Sequence, residues 1–474
     1  MKDNNGIRPN LLLMTDTYKF THWRQYPPGT EKVYSYVESR GGMFGELVFF
    51  GLQYYLKHYL QGEVFSLQDI DEADEFCRVH FGHPGYFNRK GWTELYQRWG
   101  GRLPIEIKAV PEGTVVPVSN VLATVENTDP SAPWLTNYLE TLLLKIWYPI
   151  TVATLSREIK KVFLFHLKRT GDPSLIPFKL HDFGYRGVSS EETAGIGGAA
   201  HLVNFQGTDT TAGIRLLQAY YGVKGMPGFS VPAAEHSTIT AWGRDHEREA
   251  YENMLKQFPR GTVACVSDSY DVFNACEHIW GEELREKVLA RDGVLVIRPD
   301  SGDPKTIVLN VLEILGRKFG FETNSKGYKV LDPKVRLIQG DGVNYWTIQD
   351  VLATITRAGW SADNIAFGMG GALLQQLNRD TQKFAFKSSS IVINGETREV
   401  YKQPITDQSK GQKRGRLALV EHDHGFETVT TSAGAGATTG LLQTVFLNGE
   451  LKKEYRLDDI RERAEVDLTQ MVNR

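Results

Sequence analysis

"VLVIRPDSGDP", residues 294–304, opens with four apolar residues and then stops at Arg298, Pro299, Asp300, Ser301 and Gly302. The same texture recurs in "FKLHDFGYRG" (178–187), "VNFQGTDT" (203–210), "GFSVPAAEHS" (228–237), "TVACVSDSYD" (262–271), "VRLIQGDGVN" (335–344) and "NIAFGMGG" (364–371). Several of these are followed by helix-period segments such as "WTIQDVLATITRAGW" (346–360) and "ALLQQLNRD" (372–380). Apolar strand, polar loop and helix in repetition describe an α/β barrel or a doubly wound sheet. Seven such strand ends favour the barrel. An open sheet offers its ligand only one or two switch points, whereas a barrel collects every strand end on one rim.

Outside that region the pattern changes. Residues 1–165 mix alternating strands, such as "VYSYVESR" (33–40), with aromatic-rich helices. "SSSIVINGETREVYKQP" (388–404) reads as a hairpin with its turn near "NGE", and the last 50 residues as strands plus a charged helix. The expected architecture is α/β: an irregular TIM-like barrel over 166–388, and an α+β domain made discontinuously from 1–165 and 389–474.

The chain has 474 residues, 41% hydrophobic and 23% charged, with a formal charge of −3. That balance offers no basic field for nucleic acid or anionic lipid. Three unclustered cysteines, Cys77, Cys265 and Cys276, argue against a disulfide framework. "MKDNNGIRPN" lacks a signal-peptide layout, and the most apolar stretch (138–155) carries Glu140, Lys145 and Pro149 and reads as a buried helix. The expectation is a soluble cytoplasmic protein that contacts neither nucleic acid nor membrane.

The triplet Asp182-Phe183-Gly184 invites a kinase reading, but no glycine loop, strand lysine or His-Arg-Asp loop precedes it. No Gly-Lys-Ser/Thr exists, which excludes a P-loop. Asp300 can accept hydrogen bonds from two sugar hydroxyls, Ser301 and Gly302 expose amides to phosphate, and Arg298 offers an anion fork. Taken alone, "PDSG" is more often a helix-capping turn. Gly340 and Asp341 add close backbone approach and a second hydroxyl acceptor. Gly368, Gly370 and Gly371 stand just before a helix whose amides favour phosphate. The three loops together suggest a phosphoribosyl group.

Arg40, Arg186, Arg379, Lys387, Lys410, Lys413 and Arg414 could form a second anion site, such as one for pyrophosphate with Mg²⁺. The plain reading of "KGQKRGR" (410–416) is a solvated loop. His236 is either a hydrogen-bonded core residue or an acid, base or phosphoryl acceptor. Asp209 is either an N-cap or an acceptor for a substrate donor. His422 and His424 lack a third ligand and read as surface residues.

With those motifs in place, the chain resembles the nicotinamide phosphoribosyltransferase family. The resemblance lies in "TDTYKFTHWRQYPPGTEKVYSYVESR" (15–40), "HDFGYRGVSSEETAGIGGAAHLVNFQGTDT" (181–210), "SVPAAEHSTITAWG" (230–243), "VSDSYD" (266–271), "IRPDSGDP", "IQGDGV" and "KGQKRGRL" (410–417), which together span nearly the whole chain. It implies a homodimer with shared active sites that makes nicotinamide mononucleotide from nicotinamide and phosphoribosyl pyrophosphate. Phe183 would stack on the nicotinamide ring, opposite the partner subunit's Tyr18, with Asp16 also in the substrate-binding set. Asp209 would bind the carboxamide nitrogen and Arg298 would lie near the base. The ribose would rest on Asp300, Gly340 and Asp341, and the 5′-phosphate on Gly370 and Gly371. Arg40, Arg379, Lys387, Lys413 and, from the rim, Arg186 would gather around pyrophosphate or nucleotide phosphate.

The resemblance further implies Mg²⁺ with Asp271 and Asp300 as contacts, and ATP as an activating co-substrate that phosphorylates His236. His236, Asp300 and Asp271 are thus the expected catalytic set. The chain departs from the family pattern at Ala385, at Lys413-Arg414-Gly415, and at Met369 and Ala372. The rival readings are a nicotinate enzyme and a non-catalytic nucleotide-sensing barrel.

Overall fold

The computed structural model describes residues 9–403, 405–406, 412–423, 425–431 and 440–466. Lys410 and His424 lie outside the described residues. The described residues divide into two compact units, one falling within 1–154, 220–222 and 378–464, the other within 155–219, 223–377 and 465–474.

The second unit holds the parallel sheet. Its strands follow the order Gly207–Thr208, Leu180–Asp182, Ile365–Met369, Val335–Gln339, Asp292–Arg298 and Arg260–Val266. The two edges do not stay open. Residues 228–234 run between them, with Phe229 bridging Gly207 and Ala233 bridging Ala264. Thr208 donates to the Phe229 carbonyl at 2.9 Å, and Ala234 donates to that of Ala264 at 3.0 Å. Seven staves therefore close a barrel, matching the seven strand ends in the sequence. Closure removes the exposed edges that an open sheet must protect. The 228–234 stave carries Pro232, which lacks an N–H, so its pairing is irregular.

Parallel strands are covered on both faces, which explains their apolar runs. Val263, Cys265, Leu295, Ile297, Val335, Leu337 and Phe367 are all buried. Helix Pro304–Phe319 buries Val308, Val311, Leu312 and Leu315, and helix Tyr345–Arg357 buries Ile348, Val351, Leu352 and Ile355. That i, i+3, i+4, i+7 spacing lays one apolar stripe against the sheet. The rim loops also start these helices. Asp303 caps the first through the Thr306 N–H at 3.2 Å, with Pro304 in its first turn, and Asn344 caps the second in a box with Thr347.

The first unit is built on a seven-stranded antiparallel sheet. Strand Thr30–Ser39 pairs with Phe384–Ile393 and with Val121–Asn127. The hairpin expected at "NGE" is present: Ile393 pairs with Glu396, and Asn394 and Gly395 both have positive φ (49° and 79°). Two successive residues in that conformation make the turn whose twist suits a tight hairpin. Among the described residues, no helix is long and apolar enough to cross a membrane.

Candidate active site

The strand ends of the barrel surround an open cleft of roughly 1060 Å³. Phe183, Arg186, Asp209, Arg298, Asp300, Gly340, Asp341, Gly370 and Gly371 all line it. Each stands at or just past the C-terminal end of a stave, so a single rim collects residues nearly 190 positions apart.

Phe183 follows strand Leu180–Asp182, and its N–H donates to the Met369 carbonyl at 3.0 Å. Its ring lies against the neighbouring strand at Gly368, where an added Cβ would fall 1.8 Å from Phe183 Cε2. Gly368 therefore seats an aromatic ring rather than a phosphate. Gly340 plays the same part for Asp300, whose Oδ1 would lie 2.7 Å from an added Cβ. Gly371, by contrast, has open space on that side.

Asp209 Oδ1 accepts a hydrogen bond from His181 Nε2 at 3.0 Å and another from Ser230 Oγ. Burial pushes its carboxyl up, but the bonds from His181 and Ser230 and the charge of Arg298 outweigh this. The carboxyl is held below its ordinary value, so Asp209 is an anion at neutral pH. Arg298 Nε is buried without a partner among the described residues, and a terminal guanidinium nitrogen sits 3.8 Å from Asp300 Oδ2. A buried donor without an acceptor is costly and points to an acceptor supplied by a ligand.

A second cluster centres on Asp268, two residues beyond strand Arg260–Val266. Its buried carboxylate takes His236 Nε2 on Oδ1 at 2.9 Å, and on Oδ2 the Asp300 N–H at 3.0 Å and Ser301 Oγ at 2.5 Å. His236 Nδ1 then lies 3.9 Å from Asp300 Oδ2. Burial pushes the Asp300 carboxyl above its ordinary value. Arg298 and His236 oppose that shift, while Asp268 and Asp341 reinforce it. Asp271, three residues on, is exposed and caps a short helix through the N–H groups of Phe273 and Asn274, both at 3.0 Å.

The remaining candidates belong to the antiparallel unit. Glu38 is buried between Arg40 Nε at 2.9 Å and the Lys413 ammonium. Arg40 carries a buried guanidinium nitrogen with no partner among the described residues. Burial pushes the Lys387 ammonium below its ordinary value, and the nearby charges of Arg40, Arg379 and Lys402 add to that, against Glu140. These cations repel one another, so an anion placed among them relieves repulsion as well as gaining attraction. Tyr18, on the 3₁₀ helix Thr17–Arg24, is 59% exposed, with its ring in a T-shaped contact with His22. Asp16 precedes that helix and accepts from Thr141 Oγ1 at 2.6 Å.

Sequence reasoning passed over Asp268, His181 and Ser230. All three sit inside quoted motifs at strand ends, so the signal was present without a way to rank it.

A closed α/β barrel with carboxylates, a guanidinium whose Nε lacks a partner among the described residues, and glycines on one rim carries the groups that recognition of a sugar phosphate requires. Residues 178–450 match the nicotinate phosphoribosyltransferase family, and residues 10–107 match the nicotinamide phosphoribosyltransferase N-terminal domain. The chain belongs to the nicotinate phosphoribosyltransferase family. It is 51% identical to a nicotinamide phosphoribosyltransferase of Xanthomonas campestris pv. campestris (strain 8004), over 96% of this chain and 98% of that one. It is 32% identical to a nicotinamide phosphoribosyltransferase of Acinetobacter baylyi, over 97% of each. In fold it is similar to the crystal structure of nicotinate-nucleotide pyrophosphorylase from Pyrococcus furiosus. That likeness has a TM-score of 0.60 at 16% identity and covers 98% of this chain and 97% of that one.

Proposed function

We propose that this enzyme transfers the phosphoribosyl group of phosphoribosyl pyrophosphate to nicotinamide, giving nicotinamide mononucleotide and pyrophosphate for NAD salvage. The observation that carries the choice of amide over acid is the ionised Asp209 on the rim that also holds Phe183 and Arg298. An anionic carboxylate accepts from a carboxamide NH₂ but repels a carboxylate, and in a partly dry site such a mismatch is worth several kcal/mol. Arg298 Nε, lacking an acceptor, is suited to the carboxamide oxygen.

Phe183 offers its face to the pyridine ring and fixes the orientation of the ring nitrogen toward C1 of the ribose. Asp300 and Asp341 accept from the ribose hydroxyls, and the amides at Gly370 and Gly371 receive the 5′-phosphate. The nitrogen attacks C1 as the bond to pyrophosphate breaks, so no protein nucleophile is needed. Arg186, on the rim, supplies positive charge for the departing pyrophosphate.

Among the described residues no three His, Cys, Asp or Glu side chains gather into a protein-only metal cage. Mg²⁺ carried by substrate phosphates needs only one or two protein carboxylates, which Asp300, with Asp271 as a further contact, would provide. Bound Mg²⁺ supplies charge neutralisation on the leaving group. His236 is suited to accept the γ-phosphoryl group of ATP on Nδ1, the bond to the β-phosphate oxygen breaking and ADP leaving, because Nε2 is committed to Asp268. The working enzyme is a homodimer in which the partner subunit's Tyr18 covers the open face of the nicotinamide.

The deciding assay offers the purified protein phosphoribosyl pyrophosphate and Mg²⁺ with either nicotinamide or nicotinic acid. Mononucleotide should form from the amide. Equal or better turnover of the acid overturns the amide assignment, and no turnover of either overturns the reaction.

A further inference from the structure

We infer that His181 is a specificity-determining positioning residue: with Ser230 it saturates one oxygen of Asp209 and leaves the other for the carboxamide of the base. The inference rests on the reaction proposed above and adds a residue that acts through Asp209.

Both donors reach the same atom. His181 Nε2 and Ser230 Oγ bond to Oδ1, and among the described residues no hydrogen bond reaches Oδ2. An ionised carboxylate only accepts, so Nε2 of His181 carries the proton. The imidazole is itself held. His181 pairs in register with Gly207 of the adjacent strand, and a Cβ at Gly207 would fall 2.9 Å from His181 Nδ1. The ring also meets Phe183, centroid to centroid at 5.1 Å. Side-chain exposure of His181 is only 14%, against 47% for Asp209, so a shielded ring anchors a carboxylate that faces the cleft.

Two consequences follow for discrimination. The two bonds to Oδ1 fix the carboxylate rotamer, so Oδ2 presents its lone pairs in one direction. They also stabilise the charged form, which denies Asp209 the proton it would need to donate to a carboxylate substrate. The titratable and charged groups facing Asp209 are His181, Arg298 and Asp182. The first two favour its anion. Asp182 is buried and pushed up to about 6, so it exerts little opposing charge below that pH.

The test compares kcat/KM for nicotinamide and nicotinic acid in wild type, His181→Leu, His181→Gln and Ser230→Ala, at pH 6 and pH 8. Loss of a hydrogen bond to a charged group is worth a factor of about ten or more. His181→Leu should therefore lower the amide-to-acid ratio about tenfold or more, with the larger loss at pH 6, where Asp209 is more readily protonated. Glutamine carries a donor nitrogen at about the reach of Nε2, so His181→Gln should restore most of the ratio, which a purely structural role would not do. Ser230→Ala should lower the ratio in the same direction, and it decides the matter if His181→Leu does not fold. An unmoved ratio in both donor-deleting variants, or a Gln variant no better than Leu, overturns the inference while leaving the reaction intact. A wild type without amide turnover overturns the reaction and this inference together.

Discussion

Gly368→Ala tests the seating of Phe183. Gly368 lies in strand Ile365–Met369 with no positive φ, so alanine is acceptable to the backbone and only the methyl group matters. That methyl would stand 1.8, 2.2 and 2.6 Å from Cε2, Cδ2 and Cζ of Phe183. Carbon atoms rest at about 3.5–4.0 Å, so the ring must retreat by roughly 1.5–2 Å or turn away. Overpacking of this kind costs about 1–3 kcal/mol, which corresponds to a factor of roughly 5 to 150 in binding of whatever the ring contacts. Initial rates measured with each substrate varied in turn should show KM for nicotinamide rising by that factor. KM for phosphoribosyl pyrophosphate should change little, and the thermal midpoint should fall by a few degrees. If instead the pyrophosphate substrate suffers and nicotinamide does not, Gly368 is a phosphate contact and the ring-seating account is wrong.

Asp209→Asn removes the anion but keeps the shape, and should erode the amide preference by about tenfold or more; an unchanged ratio in paired kcat/KM measurements would exclude Asp209 from that role. Asp268→Asn takes a charged acceptor from His236, and label from γ-phosphate ATP should reach the protein far more slowly, whereas labelling as fast as in wild type would free His236 from its dependence on Asp268. Leu337→Ala opens a cavity among the barrel staves and should cost about 2–5 kcal/mol in denaturant unfolding; a loss under 1 kcal/mol would mean that the staves are loosely packed there. In the antiparallel unit, burial pushes the Glu112 carboxyl up to about 7, against hydrogen bonds from the Gln53 and Gly51 N–H groups. The folded state then binds the proton more tightly than the unfolded chain, so this contribution is present below about pH 4.5 and lost as pH rises through about 7. Glu112→Gln mimics the protonated form and should flatten the decline in stability between pH 5 and pH 8, and a decline as steep as in wild type would contradict the burial argument.

The barrel was legible because its cause is local. A strand covered on both faces must be apolar, and where it meets the rim it must turn polar, so every stave announces its own end. The resemblance in "HDFG", "IRPDSGDP" and "IQGDG" pointed to the same rim, and the structure brings those residues around one cleft. The closing stave at 228–234 was readable as a strand end, but its role in joining two edges was not. That role depends on isolated bridges to Gly207 and Ala264, which are distant in sequence.

The sequence by itself determined the fold class, the strand ends and the set of residue types available for a sugar, a phosphate and an aromatic base. Tertiary structure alone decided which side chains meet. Asp268 and Asp271 stand three residues apart in one motif and look equivalent as letters. The chain leaves its strand at Val266, so Asp268 turns inward to His236 and Asp300, while Asp271 has already begun a helix and caps it through Oδ1. His181 and Asp209 are joined across neighbouring staves, and Gly368 owes its missing side chain to a ring on the adjacent one. Burial and turn chemistry act on residues near in sequence, whereas partners across a barrel are set by strand register, which exists only once the chain has closed on itself.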